Sequence, residues 1–268
     1  MMDSFAPKLP GNMEIGYRYP RAPIIEATID LRVESSGTDE SEDTIFENLG
    51  AVYSSDADFD APTPLYTFSS DLKVDEGDTI IGRTPGRQIG YTFRRHDGRA
   101  VVRANIDRFA YSQLGPYTEW DEFLKAAEAC WSLYRDRTSP ENVTAIGVRF
   151  VNRILVPKYT IEIKDYLRTT VDVSPYLPQW TNGYFLQVGI PLADFDADAL
   201  VTTALVDRDD DEDGVPLVLD IDVRTATSLA VDAEGFQDGL LATLGRLRTA
   251  KNYVFEACIT DATRGLID

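Results

Sequence analysis

The sequence predicts an α+β protein built on a large twisted antiparallel sheet, and three observations carry that expectation. Residues 23–33 read Pro-Ile-Ile-Glu-Ala-Thr-Ile-Asp-Leu-Arg-Val, with Ile25, Ala27, Ile29, Leu31 and Val33 alternating against Glu26, Thr28, Asp30 and Arg32. Asp97-Gly98 lies between two further alternating runs. Two amphipathic helical stretches, 118–136 and 234–250, each follow a run of strand-like segments. Runs of strands with segregated helices are the pattern of α+β rather than of alternating βαβ units.

In chain order, residues 1–21 read as an irregular arm, punctuated by Pro10, Gly11, Gly16 and Pro20. The opening strand follows, its side chains pointing alternately to an apolar and a charged face. A polar, acidic loop at 35–43 leads to a short helix at 44–49, and a second acidic loop at 54–64 precedes a strand near 65–72. Asp97-Gly98 is a strong hairpin signature, because a type I′ turn needs positive φ at both central positions. Pairing outward from it sets Phe93 opposite Val102, Tyr91 opposite Ala104, Ile89 opposite Ile106, Arg94 opposite Val101 and Thr92 opposite Arg103. Thr118 reads as an N-cap ahead of an acidic first turn. Trp120, Phe123, Leu124, Ala127, Cys130, Trp131 and Tyr134 then recur at helical spacing.

Ile146 to Val156 is a second strong strand, stopped by Pro157. Further strands are expected at 183–190, 199–206 and 217–224, the last after the acidic loop 207–214. Phe236, Leu240, Leu241, Leu244 and Leu247 mark the second helix, and Phe255 with Ile259 mark renewed helix beyond it. Strands followed by a helix thus occur twice. The expected organisation is the arm 1–21, a first α+β half 22–157 and a second half 158–268, packed together as one unit. Two architectures fit: pseudo-repeated halves in one open sheet, or a partly closed barrel.

The chain has 268 residues and a formal net charge of −19. That balance argues against a general nucleic-acid binder, because phosphate backbones are held by Lys and Arg. No run approaches the roughly 20 apolar residues of a membrane helix, and no apolar h-region follows the first residues. The two cysteines, Cys130 and Cys258, lack metal spacing and fall in apolar helical patterns, as core thiols do. The expected location is cytoplasmic.

Candidate chemistry lies on the polar edges of the strands. The first strand offers Glu26, Thr28, Asp30 and Arg32, and the hairpin offers Arg94, Arg103, Asn105 and Asp107. Strand 146–156 offers Arg149 and Arg153, and strand 217–224 offers Asp220, Asp222 and Arg224. Were these edges to share one concave surface, they would form a cage of acids and arginines suited to a small anionic ligand, with Arg giving bidentate contacts. The plainer alternative is a solvated sheet face laced with weak cross-strand ion pairs.

Other motifs carry less. Asp209 to Gly214 matches the D-x-D-x-D-G opening of a calcium loop, but Pro216 interrupts it and Asp220 stands where a bidentate Glu belongs. His96 is the only histidine and sits at the hairpin tip, a poor place for a buried catalytic base. The run containing Gly82, Gly86 and Gly90 lacks the Lys and the strand–loop–helix setting of a phosphate loop. No motif calls for a cofactor.

Three segments together resemble a family of uncharacterised, sporadically distributed prokaryotic proteins of similar length. They are Ala22-Pro-Ile-Ile-Glu-Ala-Thr-Ile-Asp-Leu-Arg, Ile146-Gly-Val-Arg-Phe-Val-Asn-Arg-Ile and Phe255-Glu-Ala-Cys-Ile-Thr-Asp. They match that family's P-x-[IV]-E-A, R-[YF]-x-N-R-I and late F-E-x-x-[IL]-T patterns. The resemblance brings no activity; the family's patchy distribution fits accessory, defence or mobile-element genes. A second likeness concerns the first strand alone. Glu26-x-Thr28-x-Asp30-x-Arg32 looks like the E-x-E-x-K strand of triphosphate tunnel enzymes, with Thr28 replacing an acid and Arg32 replacing the Lys.

The leading expectation is a non-enzymatic binding or assembly component, partnered by another protein or by itself, with a small anion as candidate ligand and no cofactor. The alternative is a metal-dependent phosphohydrolase or nucleotide-processing enzyme with a charged β-tunnel. That reading requires acids among Glu26, Asp30, Asp220 and Asp222 to converge on one divalent cation.

Overall fold

A computed structural model describes residue 9 and residues 14–35, 42–53, 58–67, 70–75, 78–83, 86–209 and 212–268, with 35, 42, 70–75 and 78–83 described by backbone alone. The chain opens with strand β1 (Ile24–Ser35), helix α1 (Glu42–Ala51) and strands β2 (Thr63–Thr67), β3 (Ser70–Asp75) and β4 (Asp78–Arg83). The meander β5 (Arg87–Arg94), β6 (Ala100–Asn105) and β7 (Arg108–Leu114) leads into helix α2 (Trp120–Thr138). The second half contains β8 (Pro140–Val156), β9 (Phe185–Leu192), β10 (Ala197–Leu205) and β11 (Val215–Ala230), then helices α3 (Phe236–Cys258) and α4 (Asp261–Ile267).

Nine strands form one antiparallel sheet in the order β2-β5-β6-β7-β1-β8-β11-β10-β9, and β3 pairs with β4 separately. The sheet is open, with β2 and β9 as its edges, so the closed-barrel alternative does not form. From each central strand, β1 or β8, the chain crosses to an edge strand, β2 or β9, and winds back inward, and the sheet runs unbroken across the 157/158 junction.

Helices cover one face. α2 packs on β7, α3 on β8, β10 and β11, and α1 on β5 and α2. Against them lie Ala27, Ile29, Leu31 and Val33 of β1, each 5% exposed or less, with Phe109, Phe150, Ile221 and Val201 of the neighbouring strands. Burying each such aliphatic or aromatic side chain contributes about 1.5–3 kcal/mol. The period-two alternation therefore puts the charged residues of the same strands on the uncovered face.

The hairpin register is as the sequence predicts: Phe93 faces Val102, Tyr91 faces Ala104, Arg94 faces Val101 and Thr92 faces Arg103. Its turn is different. The Gly98 N–H donates to the Arg95 carbonyl at 2.9 Å, and only Gly98 has positive φ, so a four-residue loop replaces the type I′ turn. A bulge between Ile24 and Glu26 turns Ile25 outward, 42% exposed, although the alternation placed it in the core. Glu119 rather than Thr118 occupies the N-cap of α2 and makes no side-chain cap. The helix expected at 234–250 runs without interruption to Cys258. The strand expected near 65–72 is split into β2 and β3. β7 has no counterpart among the expected strands, although Phe109 and Tyr111 alternate with polar residues there.

The described part of the N-terminal arm is irregular but tied down. The Tyr19 hydroxyl donates to Glu256 Oε1 at 2.8 Å, and the Arg21 N–H donates to the Ile267 carbonyl at 3.0 Å. Glu256 is itself buried and ion-paired with Arg264 at 2.9 Å. Burial, with the Glu256 hydrogen bond, pushes the Tyr19 hydroxyl up to about 12. Cys130 and Cys258 are both buried and not joined in a disulfide.

One lysine sits awkwardly between α3 and the sheet. Lys251 Nζ lies 4.1 Å from the centroid of the Phe150 ring, and Arg248 lies 5.2 Å over Trp120. Burial, with Arg248 as a second cause, pushes the Lys251 ammonium down to about 7 from an ordinary value of 10.5. Between those pH values the unfolded chain binds a proton that the folded chain does not, so stability rises as pH rises through that window. Lys251→Met is expected to raise stability at pH 7 and to flatten the rise, as urea unfolding at pH 6.5, 8 and 9.5 will show.

Candidate functional site

The charged strand edges meet on the uncovered face of the sheet, around a concavity of about 360 Å³. Glu26, Asp30 and Arg32 of β1 line it, with Arg103 of β6, Arg149 of β8 and Asp222 of β11. Cross-strand register explains the convergence. Arg103 stands opposite Ala110 of β7, which stands opposite Asp30; Asp30 stands opposite Gly147, and Gly147 opposite Arg224. Small residues at Ala110, Ala145 and Gly147 leave the floor open between long charged side chains. Thr28 and Ser112 share a 2.7 Å hydrogen bond across the β1–β7 ladder.

Three expected residues lie elsewhere. Asp220 is adjacent but outside the lining, held by Arg149 through bonds of 2.9 Å from Nε and 2.6 Å from Nη2. Arg153 sits further along β8 and pairs with Glu212 and, at 3.5 Å, Asp209. That pairing uses the acidic loop read as a partial calcium motif, of which Asp210 and Asp211 lie outside the described residues. Arg94 faces Val101 near the end of the hairpin and does not line the concavity.

Arg108 is the functional side chain that the sequence reading missed, and it was missed because β7 was missed. The signal was available: Arg108-Phe-Ala-Tyr-Ser alternates with period two directly after the short turn at Ile106-Asp107. Leu65 and Ile89 also line the concavity. A shift in the β2–β5 register at Ile89 accounts for its place there, since Leu65 pairs with Gly90 but Tyr66 pairs with Gln88.

The ion pairs have a common vertical order. Asp30 pairs with Arg108, Asp220 with Arg149 and Asp222 with Arg224. The acids' side chains are 14–21% exposed and the arginines' 46–49%. Carboxylates thus lie underneath and guanidinium groups on top. Burial pushes the Asp30 carboxyl up, against the opposing pull of Arg108. The hydrogen bonds that Arg149 donates to Asp220 hold its guanidinium above its usual value. Five arginines (Arg32, Arg103, Arg108, Arg149 and Arg224) line the concavity against three carboxylates. Arg32 and Arg103 have no hydrogen-bond or ion-pair partner among the described residues.

The tunnel reading needs acids that share a cation. Among the described residues no three His, Cys, Asp or Glu side chains gather as a set that could hold a metal ion. Asp30 and Asp222 each turn to an arginine. No helix of the described residues is long and apolar enough to cross a membrane.

No family model matches the chain, and no curated protein matches it. The family resemblance rests on its three segments. Two of them lie on β1 and β8, where the Arg153 N–H donates to the Pro23 carbonyl at 2.8 Å; the third ends α3.

Arg32 stands directly opposite Arg108 on adjacent strands. Like charges in that relation are destabilising by about 0.2–1 kcal/mol. Arg32→Gln is expected to stabilise the ligand-free protein by that amount in urea unfolding. Arg103→Gln, which has Ala110 opposite, is expected to leave stability unchanged.

Proposed function

We propose that this chain is a non-enzymatic binding module that holds a small anion on the open face of its sheet. One observation carries the reading: Arg32 and Arg108 face each other across a strand pair, and Arg32 has no carboxylate to answer it. Arg103 is unpaired on the strand beyond, two residues along from the Arg32–Arg108 row and roughly 12 Å from Arg32. An anion seated among these three relieves the repulsion and gains charge-assisted hydrogen bonds. Asp30 supports this use, because it sets the position of Arg108 and leaves that side chain 46% exposed. A phosphate or carboxylate group suits the guanidinium fork.

The test is a thermal-shift titration with sodium tripolyphosphate, with and without Mg²⁺. At a hundredfold excess over the dissociation constant, binding contributes about 2.7 kcal/mol, which is several degrees in a domain of this size. Arg32→Gln and Arg103→Ala are expected to abolish the shift, and Arg94→Ala to preserve it. No shift at saturation sinks the reading. A shift that requires Mg²⁺ favours the metal-dependent alternative.

A separate observation favours the assembly half of the expectation, with a second copy as partner. Residues 173–192 contain no charged side chain in a chain of net charge −19. Tyr176, Trp180 and Phe185 within that run are 95%, 81% and 71% exposed. The run includes β9, the sheet edge, whose outer side has no strand partner among the described residues. Uncharged edges of this kind pair readily with another strand, and two acidic bodies approach each other at least electrostatic cost there. Light scattering is expected to give a dimer for the wild-type protein and a monomer for Phe185→Lys. A wild-type monomer at every concentration overturns this contact.

A further inference from the structure

Resting on the anion-binding reading, the geometry points to a more specific ligand: we infer that the concavity takes a nucleoside phosphate, with its phosphate at Arg32, Arg108 and Arg103 and its base at the β2–β5–β6 end. One cross-sheet row sets this polarity. Leu65 stands opposite Gly90, Gly90 opposite Asn105, Asn105 opposite Arg108, Arg108 opposite Arg32, and Arg32 opposite Ala145. Along six adjacent strands the row passes from apolar, through a bare backbone position and an amide, to two arginines.

Each part of the uncharged end has a physical reason to receive something flat and polar-edged. Ile89, turned in by the bulge, and Leu65 present apolar surface beside the arginines. Gly90 lets β5 approach β6 closely beside Asn105. A Cβ there would lie 2.2 Å from the Ala104 carbonyl oxygen and 2.6 Å from the Asn105 Cα, so no larger residue fits without moving the β5–β6 pair.

Asn105 is 6% exposed, and its side-chain Oδ1 is buried with no hydrogen-bond partner. That oxygen lies against Gly90, within 2.6 Å of where a Cβ would sit. The amide nitrogen also has no partner among the described residues, and Asn105 lines the concavity. Buried amides are ordinarily satisfied, and an amide carries both a donor and an acceptor, as the edge of a base does. The Asn105 backbone does not share the deficit, since its carbonyl accepts from the Tyr134 hydroxyl at 2.7 Å.

The alternatives use less of the site. Inorganic phosphate or polyphosphate satisfies the arginines and leaves Leu65, Ile89 and the Asn105 amide uncovered. A fatty acyl anion covers the apolar residues and leaves the amide unanswered. A volume of about 360 Å³ falls at the lower end of small-molecule sites, the right scale for a mononucleotide and small for a dinucleotide.

Isothermal titration of the full chain with AMP, GMP, CMP, UMP, inorganic phosphate and tripolyphosphate tests this. At least one nucleotide is expected to bind tenfold or more tightly than inorganic phosphate. Asn105→Ala is expected to weaken that nucleotide about tenfold and to leave tripolyphosphate unchanged. Leu65→Ser, at a half-buried position on the edge strand, is expected to do the same and serves if Asn105→Ala fails to fold. If inorganic phosphate binds as tightly as every nucleotide, or if both variants weaken tripolyphosphate and nucleotide alike, the nucleotide assignment is overturned and the anion-binding reading stands. If no anion binds, both fall.

Discussion

The ladder between β1 and β8 is the constraint on which the rest of the structure depends. These two strands pair at the centre of the sheet, β7 adds outside β1, β11 adds outside β8, and the remaining strands follow outward on each side. Residues directly opposite one another share a face, so the side taken by Asp30 on β1 is shared by Gly147 and Arg224 on one flank and by Ala110 and Arg103 on the other. A one-residue slip in that ladder would carry Glu26, Thr28, Asp30 and Arg32 under the helices and push Ile29 and Leu31 into water. The bulge at Ile25 is tolerated because it lies at the end of the ladder, where few positions remain to be displaced.

The same constraint makes the open face electrostatically layered. Alternation brings acids and arginines together, but side-chain length decides which ends up on top. An aspartate is short and stays near the backbone, whereas an arginine reaches over it. Each half of the sheet uses this once on the diagonal, with the sign reversed: Asp30 of β1 lies under Arg108 of β7, and Asp220 of β11 lies under Arg149 of β8. Partly exposed pairs of this kind add little to stability. Their effect is positional, since each fixes a guanidinium group over the concavity.

Much of this was legible from residues alone. The β5–β6 register followed from Asp97-Gly98 even though the turn type did not, because cross-strand alternation on both arms admits only one pairing that keeps Phe93 and Val102 on the core face. The candidate residues on β1, β6, β8 and β11 were legible because each strand alternates cleanly. What was illegible was relative position. Sequence periodicity gives the face of a strand but not its neighbours in the sheet, so Arg149 and Arg153 looked equivalent although only Arg149 reaches the concavity. Ile25 was misplaced for a different reason: a bulge shifts the parity of a strand and leaves no mark in its hydrophobic pattern. Arg108 was lost with β7, a strand whose alternation is weakened by Ala110 on its polar side and Gln113 on its apolar side.

An arginine-lined concavity in a protein of net charge −19 also bears on which anions can reach it. At physiological ionic strength charges are screened beyond about 8 Å, so a small anion inside the concavity interacts chiefly with the arginines there. A nucleic acid is longer than that distance and would lie against the acidic surface beyond the rim, where it is repelled along most of its length. Under the anion-binding reading, the net negative charge of the chain and the arginines of the concavity together favour small anions over long ones. The arginines therefore need not be numerous: the surrounding charge disfavours large competitors, and the five guanidinium groups of the lining face a small one.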